Sequence, residues 1–124
     1  MTESTLLLRQ IHPAFIQNGE VSSQAFRPTA EHQFKLSVYN GDLIEAKPSW
    51  VHFTTIGNNQ SAGVQAITIS ECQAIELPAE ASPEVFAEHC HIDFGGFGSS
   101  KISQKSRLLR DRAVKRGWLF RHES

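Results

Sequence analysis

Apolar and polar residues alternate with a period of two along several short segments of this chain, as in strands with one buried face. Residues 63–69 form a β-branched run typical of a strand that is buried on both faces. Turn signals such as Asn18-Gly19 and Asn40-Gly41 separate the segments. The pattern predicts five strands, over residues 6–16, 21–26, 34–39, 63–69 and 86–94, with Pro13 ending or bending the first.

Helical spacing appears in three other segments. We expect a helix that starts after Pro48 and stops at Gly57, and one or two turns over residues 70–77 with Ser70 as their cap. Residues 78–83 are predicted to be a surface loop. The strongest helix prediction covers residues 101–116, after which residues 118–120 should fold back onto the body. The predicted fold class is α+β: a small, mostly antiparallel sheet of about five strands with a C-terminal amphipathic helix packed on it.

Composition is that of one globular domain over residues 1–124, with 40% apolar and 20% charged residues. No apolar run approaches the roughly 18 residues of a membrane span, so we expect no membrane partner. The N-terminus has no secretory-signal pattern, and Cys72 and Cys90 fit neither a disulfide framework nor a paired zinc-knuckle spacing. We therefore expect a soluble cytoplasmic protein with buried, reduced thiols.

Charge divides the chain into an acidic body and a basic C-terminal segment. Residues 1–97 carry four basic and eleven acidic side chains (net −7), whereas residues 98–124 carry eight basic and two acidic ones (net +6). Five cations share one flank of the predicted C-terminal helix, beside an apolar stripe of Ile102, Leu109 and Ala113. They could follow a phosphate backbone, and the backbone N–H groups of the preceding turn could hold an anion. The predicted partner surface comprises Lys101, Lys105, Arg112, Lys115 and Arg116 with Gly98, Ser99 and Ser100.

The leading hypothesis is a binding or accessory module whose partner is nucleic acid or an acidic protein. The alternative for the same helix is a solvated face, or one paired with the acidic body. A third possibility is an interaction subunit that docks through residues 118–120 or through a sheet edge.

A histidine-rich strand gives an alternative centre. In a strand over residues 86–94, His89, His91 and Asp93 project from one face, whereas Phe86, Cys90, Ile92 and Phe94 project from the other. Two imidazoles and a carboxylate are ingredients of a divalent-metal site or of acid–base chemistry near neutral pH. The rival hypothesis is therefore a small enzyme, such as a metal- or histidine-dependent phosphoester hydrolase. A polar, solvent-facing strand edge without metal or other cofactor is the simpler interpretation.

Arg9 and His12 lie in or beside the first predicted strand, and the third contains Ser37 and Tyr39. An early arginine or histidine followed by a strand with Ser and Tyr resembles the layout of NAD-using ADP-ribosyl transferases. The resemblance implies an anionic substrate held by Arg9 or His12, with Glu88 in the place of the late acidic residue. Alternatively, Arg9 pairs with a carboxylate of the acidic body, and His12 closes a turn before Pro13.

Several nucleotide-binding and catalytic motifs are absent from the sequence. There is no P-loop pattern, no dinucleotide-binding G-x-G-x-x-G, no G-x-S-x-G elbow and no H-E-x-x-H. Small size without these motifs favours a binding module over a stand-alone enzyme.

Overall fold

The computed structural model of the protein describes residues 1–122. An antiparallel sheet with helices on both faces accounts for most of them. Short 3₁₀ turns cover Pro13–Phe15, Ser23–Phe26 and Ala30–His32. The strands are β1 (Leu6–Ile11), β2 (Ile16–Gln17), β3 (Glu20–Val21), β4 (Lys35–Asn40), β5 (Gly63–Thr68), β6 (Ala79–Ala81), β7 (His89–Asp93) and β8 (Phe120–Arg121), and the helices are α1 (Ala46–Val51), α2 (Ile69–Gln73) and α3 (Ser99–Arg116).

Six strands form one curled sheet in the order β6-β7-β4-β1-β5-β8, and every neighbouring pair is antiparallel. The hairpin of β2 and β3 stands apart from it. This architecture confirms the predicted α+β class with α3 packed on the sheet. The main sheet has one strand more than the five expected.

The sheet opens between β1 and β4. Strand β1 pairs with β5 over its whole length, from Leu6 opposite Thr68 to Ile11 opposite Gly63. With β4 it forms only two pairs, Leu7 with Asn40 and Leu8 with Tyr39. The strands then diverge, and the gap between them positions the candidate site described below.

The main core lies on the sheet face that α3 covers. Ile102, Leu109 and Ala113 of α3 are buried there, as the apolar stripe predicted. They pack with side chains from the sheet and from the loops at its edge, among them Leu7, Ile67, Phe94 and Phe26. Burial of this stripe attaches α3 to the sheet through the hydrophobic effect.

A second, smaller core lies on the opposite face, under α1. Trp50 and Phe53 pack against Leu8, Tyr39 and residues of β5. The indole Nε1 of Trp50 donates a hydrogen bond to the Ser61 carbonyl oxygen at 2.9 Å, which satisfies its polar atom. Helix α1 continues as a π-helical turn, His52–Ile56, and this turn overhangs the gap in the sheet.

The predictions for the strands are partly confirmed. Strands occur at 35–40, 63–68 and 89–93, and β5 is buried on both faces. The first strand ends at Ile11 rather than Ile16, because Pro13 begins a 3₁₀ turn. The predicted turn at Asn18-Gly19 is confirmed, since both residues have positive φ and join β2 to β3.

Three strand-level predictions are wrong. The predicted strand at 21–26 is mainly a 3₁₀ turn, because Ala25 and Phe26 are consecutive and both fully buried, which one face of a strand does not allow. The predicted loop at 78–83 contains β6, which the free edge of β7 recruits by pairing. Phe86 precedes β7 instead of belonging to it, and it packs on Tyr39 rather than beside Cys90.

The helix predictions need smaller corrections. Helix α1 begins at Ala46, and Pro48 lies in its first turn, where a missing N–H costs no helical hydrogen bond. The cap of α2 is Thr68 rather than Ser70: Thr68 and Glu71 form a reciprocal capping box.

Helix α3 starts two residues earlier than predicted and ends before Gly117, at φ 92°. The return of the chain is confirmed by pairing of β8 with β5. Over residues 1–122, no helix combines the length and apolar character that a membrane crossing requires.

Adjacent leucines on α3 test the core assignment. Leu109 is fully buried, whereas Leu108 is 43% exposed. We expect Leu109→Ala to lower the free energy of unfolding by about 2–5 kcal/mol, because it leaves a cavity in the main core. Leu108→Ala should change it by less than about 0.5 kcal/mol. Urea unfolding of both variants measures the difference, and equal effects would contradict the described packing of α3.

Candidate functional site

A cleft of about 390 Å³ lies where β1 and β4 diverge. The two strands form its floor, the π-helical turn and the segment after it form one wall, and the residues that lead into β7 form the other. Polar groups from separate elements face it, and aromatic rings surround them. Its lining comprises Leu8, Arg9, Gln10, Ser37, Val38, Tyr39, His52, Phe53, Ile56, Gly57, Asn59, Val85, Phe86 and His89.

Arg9 bridges the gap in the sheet. Its Nε donates to the Ala25 carbonyl oxygen at 2.7 Å, and its Nη1 donates to the Ser37 carbonyl oxygen at 2.9 Å. The side chain thus replaces strand pairing that β1 does not make with this part of β4. Burial lowers the pKa of Arg9 to about 10, so the guanidinium is charged at neutral pH.

Arg9 has no counter-ion within the described part of the chain. None of the ion pairs over residues 1–122 includes it, so the expectation that it binds a carboxylate of the acidic body is wrong. Arg9 also lines a second cleft with Arg27 on the loop side, where the two arginines are again accompanied by no acidic residue. Arg9 therefore contributes a partly buried positive charge between the two clefts, with N–H groups beyond those used in its two hydrogen bonds.

A cluster of rings forms the wall above Arg9. The hydroxyl of Tyr39 and Nδ1 of His52 are 2.7 Å apart and share a hydrogen bond. Phe86 packs on both, with ring centroids 5.1 Å from Tyr39 and 4.7 Å from His52. Burial, with a further effect from Glu88, raises the pKa of Tyr39 to about 12, so its hydroxyl stays protonated. The wall is largely apolar with polar atoms at fixed points, as in pockets for small molecules.

His89 is held between two serine hydroxyls. Its Nδ1 shares a hydrogen bond with the buried Ser82 hydroxyl, and its Nε2 lies 3.1 Å from Oγ of Ser37. Burial lowers the pKa of His89, and His91 lowers it further, whereas Glu84 acts weakly in the opposite direction. A neutral imidazole therefore faces an exposed serine hydroxyl in the cleft.

The proposed centre at His89, His91 and Asp93 does not assemble. The three residues do share one face of β7, but His91 approaches Glu80 of β6 at 3.7 Å, and Asp93 accepts a hydrogen bond from the Gly95 N–H. Among residues 1–122, no three His, Cys, Asp or Glu side chains form a group that could hold a metal ion. Of the three, His89 alone lines the cleft, so the metal hypothesis at this strand has no geometric support.

His12 lies away from the cleft. Its Nδ1 accepts a hydrogen bond from the Ala14 N–H at 3.0 Å and thereby caps the 3₁₀ turn that starts at Pro13. His12 thus stabilises a turn, but this turn begins at Pro13 instead of preceding it as predicted. Its predicted role in holding an anionic substrate is not supported by its position.

The basic flank of α3 is partly used by the protein itself. Lys105 donates to the Ile75 carbonyl oxygen and lies 4.2 Å from the Phe97 ring centroid. Arg116 binds both carboxylate oxygens of Glu71, at 3.0 and 3.1 Å. Burial raises the pKa of Glu71, but the hydrogen bonds from Arg116 and Thr68, together with the charges of Arg116 and Arg112, outweigh it and leave the pKa below its ordinary value. Arg116 thus pairs with the acidic body, which is the alternative that the sequence left open for this helix.

Lys101, Arg112 and Lys115 remain exposed on the same flank, and no hydrogen bond or ion pair engages them within residues 1–122. At the start of the helix, Gly98 is the N-cap and makes no side-chain cap. Ser99 and Ser100 are exposed there, and Arg27 donates hydrogen bonds to Ser99 and Ser103. Arg27, a cation of the protein, therefore lies beside the predicted anion site at this terminus.

Four contributors to the cleft escape the sequence patterns. His52 and Phe53 lie in the helix predicted after Pro48, where their spacing indicates packing alone, and the predicted strand at 86–94 places Phe86 on its core side. Ser82 lies in a segment predicted to be a loop. Helical spacing through Trp50 and Phe53 was the only signal available, and it indicated packing rather than a site.

Comparison with known proteins finds no relative: no family model, no curated protein and no solved structure matches this chain.

The lowered pKa of His89 predicts a pH-dependent stability. The folded state disfavours the imidazolium, so the unfolded state binds more protons as the pH falls through 6.5 toward the folded pKa. The contribution of neutral His89 is present above pH 6.5 and is lost on acidification. We expect the urea midpoint of the wild type to fall between pH 7.5 and pH 5, and His89→Gln to fall less steeply. His32→Gln, at an exposed position, is the control, and an unchanged slope in His89→Gln would refute the assignment.

Proposed function

We propose that the protein binds a small anionic ligand with a planar ring, of the nucleotide class, in the cleft between β1 and β4. The observation that carries this proposal is the charge of Arg9, which has no carboxylate partner in the described residues and lies at the floor of a ring-lined cleft.

Electrostatics favours an anion at this position. A partly buried cation loses the stabilisation that water provides, and a partner of opposite charge restores it. Its two hydrogen bonds to carbonyl oxygens hold the guanidinium in place but do not neutralise it. A phosphate or carboxylate at the remaining N–H groups would supply the missing charge with bidentate geometry.

The walls favour a planar ring in the same ligand. Tyr39, Phe53, Phe86 and the His52 imidazole surround the space with π-faces and ring edges. Aromatic side chains stack on nucleobases with little dependence on base identity. The Asn59 amide, also on the lining, could pair with a polar edge of the ring.

Within the nucleotide class, NAD-type dinucleotides are the first to test. Arg9 of the first strand and Ser37 and Tyr39 of the third predicted strand share this cleft, which supports the likeness to ADP-ribosyl transferases. Glu88 is not among the lining residues, whereas its neighbour His89 is. Because the late acidic residue is absent from the lining, the likeness supports the ligand class more than it supports transfer of ADP-ribose.

Calorimetric titration of the protein with NAD⁺, ADP-ribose, AMP and uncharged adenosine tests the proposal. We expect the anions to bind more tightly than adenosine, because only they meet the charge of Arg9. Arg9→Gln should weaken anion binding by about tenfold or more, as expected for a charged hydrogen bond, and should change adenosine binding less.

A pair of rim variants keeps this test independent of folding. Ile56 is 78% exposed at the cleft mouth, so neither charge introduced there disturbs the core. Ile56→Asp should weaken anion binding and Ile56→Lys should maintain or strengthen it. The proposal fails if no compound binds, or if Arg9→Gln and both rim variants leave the anion affinity unchanged.

A second candidate function rests on the free part of the basic flank. Lys101, Arg112 and Lys115 are exposed and unpaired within residues 1–122, and they retain the spacing needed to follow a phosphate backbone. We infer from this that nucleic acid is a better candidate partner than an acidic protein, because the exposed cations share one flank of α3. Free, buried Cys72 and Cys90 support a reducing, cytoplasmic location for either function.

Matched double reversals test this surface. Lys101→Glu with Lys115→Glu should lower affinity for single-stranded RNA or duplex DNA by about tenfold or more at low salt, and should reduce the salt dependence. Lys47→Glu with Arg121→Glu changes the net charge equally at exposed positions outside α3. Fluorescence anisotropy at two salt concentrations compares them. Equal losses in both pairs, or no binding by the wild type, would exclude a specific surface on α3.

A further inference from the structure

We propose that Ser37 is a nucleophile activated by His89, with Ser82 as a positioning residue, and that the cleft hydrolyses carboxylic esters. The inference goes beyond ligand binding and does not depend on which anion the cleft binds.

The geometry is that of a serine, a base and a group that orients the base. Oγ of Ser37 lies 3.1 Å from Nε2 of His89, within reach for proton transfer. Ser37 is exposed on the floor of the cleft, so its hydroxyl is accessible to a ligand. His89 is 9% exposed and Ser82 is 3% exposed, so the base and its orienting group are shielded from water.

Ser82 holds the imidazole of His89 at Nδ1, and its hydroxyl can accept the Nδ1 proton. When Nδ1 carries the proton and donates it to Oγ of Ser82, Nε2 offers its lone pair to the hydroxyl of Ser37. The Ser82 N–H also donates to the His89 carbonyl oxygen at 2.8 Å, which fixes the two residues relative to each other. The histidine is neutral at physiological pH, as a general base must be.

Arg9 supplies the charge that such a reaction needs. Its Nη1 is bound to the carbonyl oxygen of Ser37 itself, so a positive charge is held beside the attacking residue. Negative charge that develops on a carbonyl oxygen at this end of the cleft would be stabilised by the remaining guanidinium N–H groups.

The reaction balances without any further reactant except water. Oγ of Ser37 bonds to the ester carbonyl carbon as its proton passes to Nε2 of His89, and the carbonyl oxygen becomes an oxyanion. The imidazolium then gives this proton to the leaving alkoxide as the carbon–oxygen bond breaks, which leaves an acyl-serine. Water, deprotonated by His89, attacks the acyl carbon, and the proton returns to Ser37 as the carboxylic acid leaves.

Covalent labelling with a fluorophosphonate, located by peptide mass spectrometry, tests the nucleophile. We expect one label per chain at Ser37 and none in Ser37→Ala. His89→Gln should slow labelling by about 10²-fold or more, since it removes the general base. The same substitutions should abolish or slow the hydrolysis of p-nitrophenyl acetate in the same order.

Ser82 is tested by rescue. Ser82→Ala should slow labelling, and Ser82→Thr, which keeps the hydroxyl, should restore most of the rate. Ser100→Ala, at an exposed serine remote from His89, is the control and should label as the wild type does. Equal labelling of Ser37 and other serines, or an unchanged rate in His89→Gln, would overturn the proposal.

Failure here is distinguishable from failure of ligand binding. Ser37→Ala keeps Arg9 and the aromatic wall, so this variant should still bind nucleotides. If the wild type binds nucleotides but is not labelled at Ser37, only the assignment of the nucleophile is refuted. Labelling at Ser37 without nucleotide binding refutes only the ligand class.

Discussion

The site depends on one backbone constraint: β1 and β4 stop pairing after only two residue pairs. After the pair of Leu8 with Tyr39, β1 remains bound to β5 while β4 remains bound to β7. The unpaired inner edges leave backbone polar groups that would be costly if they were buried alone. Arg9 satisfies one of these, the Ser37 carbonyl oxygen of β4, and also binds the Ala25 carbonyl oxygen in the neighbouring 3₁₀ turn. The same opening that creates the cleft therefore positions its cation.

Both faces of the sheet must be covered for this opening to persist. Helix α3 and the 3₁₀ turn at Ser23–Phe26 close one face, and α1 with its π-helical extension closes part of the other. The extension places His52 and Phe53 over the gap, next to Tyr39. Packing that stabilises the fold thus also builds the wall of the cleft, which is why the rings serve both the second core and the site.

The fold class, three of the long strands and α3 were predictable because their periodicity is strong. Burial of Ile102, Leu109 and Ala113 follows from their spacing alone. Predictions failed at short segments, such as 21–26 and 79–81, where tertiary contacts decide the conformation. In the site, the sequence shows Arg9, Ser37, Tyr39 and His89 as residue types with chemistry, but its patterns divide them between two unrelated hypotheses.

The sequence by itself determined the α+β class, the amphipathic C-terminal helix and the residues capable of chemistry, because these depend on local composition and spacing. Tertiary structure alone decided which of those residues meet. The divergence of β1 from β4 gathered Arg9, Ser37 and His89, and the edge pairing of β6 and β7 directed His91 to Glu80 instead. Such long-range pairings join segments far apart in the chain, and no local pattern records them.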